Sequence, residues 1–463
     1  MRIGSVALLS VLVGRLTANA QATPTPAATP VPSCAINTLP DNSQTECTTG
    51  AETPPSFLGV SGGNYRSVTA PSKTGGISCC SGTFGALVQN SSSTQFVLGS
   101  NHVLARTSSA GGSAVVRERI VQPGLEELGC WQDSSDTVAR LSAWAPINFS
   151  GGENQLDAAI ARVVQAPQGP AGPMVPGINT SGEILNIGQI STTPFPFDSL
   201  IDGLPVMKMG RSSCLTLGVV EAWDAAGLVV YRNTCNNAAT GKALFDHQIL
   251  IFGEVPGGAT SCSFASTGDS GALVVTNDFT CPQAIGLVFA GASGTTADSG
   301  GVVVAVNPIK TVLKQFGVSL VGKTCTASPI ERQIDSATRQ PATISEALRA
   351  SIEHVRSVKE AHARNLLNQN GVVAVGIGGG NTPDTAALKV YITEDIPQVR
   401  NAVTSEVATA RVCRSGSSAA GSRRCDDRRS RNRSAANRDL RPATGRLNRR
   451  CLFGPATADR PRP

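Results

Sequence analysis

Aromatic side chains are scarce. They make up 4% of the 463 residues, with three Trp and three Tyr. Methionine and histidine are just as rare, four of each. Beyond the first twenty residues no apolar run approaches the ~20 residues that a helical membrane span needs. No two cysteines stand at C-x-x-C spacing, which argues against a zinc ribbon. No G-x-G-x-x-G or phosphate-loop pattern accompanies Gly378-Gly-Gly380, so that stretch reads as a hairpin loop. No internal repeat of fixed period is present. Charge is thin as well, at 16% Asp, Glu, Lys and Arg with a net +6. It is also uneven. From Arg400 onward there are sixteen arginines and no lysine against five acidic residues, and the rest of the chain is mildly acidic. The basic balance is a tail property. It is no sign that the folded part binds nucleic acid.

What is present is glycine (48), proline (28) and a set of short aliphatic runs. So much glycine and proline would break a long helical array. From about Pro55 to Val321 the runs are mostly four to eight residues long and separated by Gly, Ser, Asn and Pro, as in Gln95–Gly99, Leu204–Met209 and Ala284–Ala290. That texture predicts an all-β sandwich or a pair of barrels. One helix is marked inside it, with Asn307 as N-cap, Pro308 at the first helical position and Gly317 as the stop.

The flanks differ. Arg2, an apolar stretch from Ile3 to Gly14 and Ala18-Asn-Ala20 predict a signal peptide over 1–20, although Arg15 interrupts it. A Pro/Ala/Thr-rich linker and N-terminal segment follows over 21–54. Ten cysteines between Cys34 and Cys325 suit up to five disulfides in an oxidising compartment, with the pairing open. The expected location is therefore secreted or periplasmic. Past the β-rich part, a capping box at Thr343-Ile-Ser-Glu346 predicts a helix to about Asn370. Two strands, Gly371–Ile377 and Ala387–Thr393, complete a helix–strand–strand unit over 330–400. That unit is too small to bury much core alone. The Arg-rich tail over 401–463 loses hydrophobic periodicity and is expected to be disordered.

Three stretches carry chemistry. Gln95-Phe-Val-Leu-Gly-Ser-Asn-His-Val-Leu104 runs a strand into a histidine, and Asn154-Gln-Leu-Asp-Ala-Ala-Ile-Ala-Arg-Val163 opens a strand with an aspartate. Thr267-Gly-Asp-Ser-Gly-Ala-Leu-Val-Val275 presents a serine in a glycine-flanked turn. A serine hydroxyl is a poor nucleophile until a base takes its proton, and imidazole suits that task. A carboxylate then orients the imidazole and stabilises its charged form. The glycines let amides turn toward a developing oxyanion. The order His102, Asp157, Ser270 is that of one triad scaffold and differs from the other two common orders.

With these motifs in place, residues 55–322 resemble a bacterial secreted trypsin-like (chymotrypsin-fold) serine peptidase. The resemblance covers somewhat over half of the chain. It implies a mainly β fold, a double β-barrel closed by a C-terminal helix, with the small α/β unit and the tail appended. It implies a serine-type endopeptidase acting on protein or peptide substrates without cofactor or metal. By resemblance His102 is the general base, Asp157 its orienting carboxylate, Ser270 the nucleophile, and the Gly268 and Ser270 amides the oxyanion hole. Asp269 sits where the family keeps an acid that pairs, in animal trypsins, with a new N-terminus. No Ile-Val-Gly-Gly-like stretch is present to supply one, so Asp269 needs another partner. Phe264, six before the nucleophile, and Phe289, on the following strand, are expected to line an apolar substrate pocket. A catalytically silent barrel that binds a partner, and an esterase with the same triad, fit the same residues. Other features read as structural. Gly59-Val-Ser-Gly-Gly63 is a glycine-rich turn, and His354 and His362 are surface residues of a helix. His247 has no evident base role.

Overall fold

The structure is a computed structural model. It describes residues 10–13, 33–47, 50–68, 77–107, 114–169, 172–200, 202–232, 239–254, 262–292, 303–325, 344–392 and 397–408. Residues 21–32 of the expected linker and N-terminal segment, nearly all of the expected signal peptide and all but the first residues of the Arg-rich tail lie outside these. Of the expected signal peptide only Ser10–Val13 is described, as a short strand.

The first sheet is built from β1 (Ser61–Asn64), β2 (Gly82–Thr83), β3 (Ala86–Gln89), β4 (Gln95–Gly99), β5 (Arg119–Val121), β6 (Thr137–Trp144) and β7 (Ala159–Val163). Its order is β3-β4-β7-β6-β5-β1-β2, with Ser319–Leu320 added on β3. Because β2 and β3 are two halves of one bent run, the sheet closes on itself as a barrel. Gly85 allows the bend, since a Cβ there would lie 2.2 Å from the Gly271 carbonyl oxygen. Leu87, Val97, Leu98, Ile120, Leu141 and Ile160 fill the interior. They are aliphatic, as the shortage of aromatics requires.

The second sheet holds β8 (Pro205–Gly210), β9 (Cys214–Arg232), β10 (Ala239–Gly253), β11 (Leu273–Thr276), β12 (Ala284–Ala292) and β13 (Val303–Pro308). The order β9-β8-β11-β12-β13-β10 closes through the β9–β10 pairing, giving a second barrel. The strands β14 (Val372–Gly379) and β15 (Ala386–Ile392) extend this sheet, β14 pairing antiparallel with β9 at Trp223, Ala226 and Gly227. Among the helices, α1 is Asn101–Leu104, α2 Ile309–Phe316, α3 Glu346–Leu367 and α4 Pro397–Ala408. Leu348, Ile352, Val355 and Leu366 of α3 join the same core as Val206, Val220, Val274 and Val288 of the second barrel.

Two expected helix starts are corrected. Asn307 does not cap α2. It lies in β13, Pro308 is the N-cap without a side-chain bond, and the Asn307 side chain is committed elsewhere. Helix α3 is capped by Ser345, whose Oγ accepts from the Leu348 amide at 3.1 Å, two residues further on than the Thr343 start. Four disulfides join Cys34–Cys262, Cys47–Cys214, Cys79–Cys130 and Cys281–Cys325, and Cys80 is also disulfide-bonded.

Helix α3 is pinned to the β9–β10 hairpin by charge. Register shifts flank Asp224 in β9, and Asp224 and His247 take φ of 48° and 59°. These irregularities aim both side chains at α3. The buried Lys359 ammonium donates to Asp224 at 3.0 Å and Asp246 at 2.6 Å, Arg356 reaches Asp224 at 3.1 Å, and His247 Nδ1 lies 2.6 Å from Asp224. Burial pushes the Asp224 carboxyl up, but His247 and Lys359 outweigh it and carry it from 3.8 to about 2. A folded pKa below the unfolded one stabilises above about pH 4, and the benefit disappears as pH falls toward about 2. The expected size is about 2 kcal/mol at neutral pH. Urea unfolding of wild type and Asp224→Asn should therefore differ most at neutral pH and converge in acid. A difference that is constant with pH would assign the acid sensitivity to other groups.

Candidate active site

His102 lies on α1, directly after β4. Asn101, Val103 and Leu104 are buried around it, and Asn101 Nδ2 donates to the Ala145 carbonyl at 2.5 Å. The imidazole is thereby held at the barrel surface with only 9% of its side chain exposed. Asp157 precedes β7 and is fully buried. Its backbone is clamped by Asn307, which accepts from the Asp157 amide at 3.1 Å and donates to the Asp157 carbonyl at 3.0 Å. The carboxylate faces His102 twice. Oδ1 accepts the His102 backbone amide at 3.0 Å, and Oδ2 lies 2.7 Å from Nδ1. Since a carboxylate only accepts, neutral His102 carries its proton on Nδ1 and leaves Nε2 as a base. A third donor, the Tyr231 hydroxyl, reaches Oδ2 at 2.6 Å.

Ser270 sits in a turn shaped by Gly268 (φ 102°) and Gly271 (φ 99°), both in the region that favours glycine. The residue between Gly268 and Ser270 anchors the turn from below. Asp269 is fully buried and takes donors from Ser212 N (2.9 Å), Ser213 N (3.3 Å), Ser213 Oγ (2.5 Å) and Ser266 N (2.8 Å). Its counter-charge is Lys208 of β8, equally buried, with Nζ 3.3 Å away. Burial pushes the Asp269 carboxyl up, but Lys208 and these hydrogen bonds hold it below the usual carboxylate range. The partner that the sequence left open for Asp269 is therefore an internal lysine. The amides of Gly268 and Ser270 donate to no acceptor among the described residues. Two free amides on one tight turn are what an oxyanion requires.

The two loops are tied to each other. The Val288 carbonyl accepts both Ser100 Oγ at 2.9 Å, two residues before His102, and the Gly271 amide at 2.8 Å, one residue after Ser270. From the first barrel, Thr83 donates its amide to the Ser270 carbonyl at 2.9 Å and its hydroxyl to the Gly268 carbonyl at 3.0 Å. Among the described residues no hydrogen bond joins Ser270 Oγ to His102, so that one contact stays open. Phe264 and Phe289 are both buried, in different clusters. Phe264 lies beneath Lys208, whose ammonium is 5.6 Å from its ring centroid. Phe289 stacks on Phe245 at 4.8 Å between centroids. The secondary features have other partners, although Ser61 pairs in register with Thr83 beside the Ser270 turn. Ser61 Oγ accepts the Gly124 amide, His362 Nδ1 contacts Glu406 at 3.0 Å, His354 is exposed, and Gly378–Gly380 leads from β14 toward β15. Lys208, Thr83, Asn307 and Tyr231 were not legible as site residues. Each reads as an ordinary strand or cap position.

No family model matches the chain, and no curated protein matches it. Solved structures do. Protease A of Thermobifida fusca is 16% identical, over 53% of this chain and 93% of its own, with a TM-score of 0.30. The chymotrypsin of Cellulomonas bogoriensis is 15% identical over 52% and 91%, with a TM-score of 0.29. A glutamic-acid-specific serine protease is 15% identical over 57% and 100%, with a TM-score of 0.32. These likenesses concern fold alone. The fold class, read from the two closed sheets, is mainly β, a chymotrypsin-like double β-barrel.

Proposed function

We propose that the chain is a secreted serine endopeptidase. What supports this is the shared Val288 carbonyl, which accepts from Ser100, two residues before His102 of the His102–Asp157 pair, and from Gly271, one residue after Ser270. In the proposed reaction Ser270 Oγ bonds to the scissile carbonyl carbon while its proton passes to His102 Nε2. Asp157 holds the imidazolium, and the Gly268 and Ser270 amides receive the oxyanion. The C–N bond then breaks as His102 returns the proton to the leaving amine. Water repeats the sequence on the acyl-enzyme. The bonded cysteines suit an oxidising compartment. Among the described residues no helix is long and apolar enough to cross a membrane.

A second reading, a catalytically silent barrel, draws on the open contact between Ser270 and His102. Reaction of the full chain with a fluorophosphonate probe separates the two. Covalent labelling that vanishes in Ser270→Ala is expected from an activated serine. A folded wild-type chain that takes no label would leave the silent barrel standing.

A further inference from the structure

We infer that Tyr231 is a positioning residue for the Asp157–His102 pair. The inference rests on the hydrolase reading for its kinetic consequence, though the hydrogen bond itself can be tested without it. The Tyr231 hydroxyl donates to Asp157 Oδ2 at 2.6 Å, the same oxygen that faces His102 Nδ1 at 2.7 Å. The carboxylate torsion of an aspartate is broad and soft, so its plane must be set by donors. Asp157 has one donor on Oδ1 and two on Oδ2. With all three in place, both oxygens stay turned to His102. Without the hydroxyl, a fully buried charge loses one of its three donors.

The protein supports Tyr231 from a distance. The residue lies near the end of β9, far along the β9–β10 hairpin from the Asp224–Lys359 cluster. Its ring packs edge-on to Phe149 at 5.3 Å, beside Phe245 at 6.2 Å and edge-on to His102 at 6.1 Å. Phe289 in turn supports Phe245. An aromatic-poor chain thus gathers an aromatic cluster behind this one carboxylate. Burial and the adjacent Asp157 charge raise the Tyr231 hydroxyl well above its ordinary range, so it remains a donor at every working pH.

The test is Tyr231→Phe in the full chain, with Ile251→Val, in a core cluster apart from Tyr231, as a packing control. The His102 Nδ1 proton is followed by NMR, and kcat and KM are measured on an ester substrate. The expected result is a displaced His102 Nδ1 resonance and a kcat about tenfold lower at unchanged KM, the size of one hydrogen bond to a charged acceptor. Ile251→Val should leave the resonance in place. An unchanged resonance and kcat in Tyr231→Phe would overturn the inference, as would the same changes in Ile251→Val. If wild type shows no turnover, the hydrolase reading fails, while the resonance still decides the positioning role.

Discussion

Lys208→Met is expected to destabilise the folded chain by about 3–5 kcal/mol, the usual cost of leaving one member of a buried ion pair behind. Methionine matches the lysine stem in size, so packing changes little. What changes is charge. Asp269 keeps its bonds from Ser212, Ser213 and Ser266 but loses the only cation beside it among the described residues. Lys208 also donates to Ser213 Oγ and to the Cys214 carbonyl, so the turn loosens on both sides. Urea unfolding reads the loss, and the double variant Lys208→Met/Asp269→Asn should recover part of it, because no unpaired charge remains. A loss below about 1 kcal/mol would mean that the pair does not carry the turn. The fluorophosphonate rate should fall with stability in the single variant, since the Gly268 and Ser270 amides are set by the Asp269 anchor between them.

Asp157→Asn should have the larger chemical effect, a drop of about ten-thousandfold in labelling rate and kcat with the fold retained, as the same change does in other triads. The reason lies in the donor count. His102 N, His102 Nδ1 and Tyr231 Oη all need an acceptor at this side chain. An amide offers one oxygen and one NH2 group. If the NH2 faces Nδ1, the imidazole proton moves to Nε2 and the base is blocked. If the oxygen faces Nδ1, the NH2 opposes the backbone amide of His102. Labelling kinetics beside the unfolding curve separate lost chemistry from lost fold. A drop of less than about tenfold would remove Asp157 from the proposed triad.

The strands and the three motifs were legible because each is local. A glycine-flanked serine, a histidine ending an aliphatic strand and an aspartate opening another announce themselves within ten residues. The misread helix cap shows the limit of that logic. Asn307 before Pro308 has every local mark of an N-cap, yet its side chain serves Asp157 across 150 residues. Phe264 and Phe289, expected from the resemblance to line a pocket, are buried in two different clusters, a separation that spacing along the chain does not reveal. The helix at 346–367 was visible from its capping residues, but nothing in them named the hairpin to which Lys359 would fasten it.

By itself the sequence determined the β texture, the aliphatic core, the oxidised cysteines and the order of histidine, aspartate and serine. These follow from side-chain periodicity and residue type, which act over one element at a time. The tertiary structure alone decided the partners: Lys208 for Asp269, Tyr231 for Asp157, and Val288 for both site loops. A buried charge or carbonyl takes whichever donor the closed sheets bring within about 3 Å, and sheet closure is a property of the whole barrel.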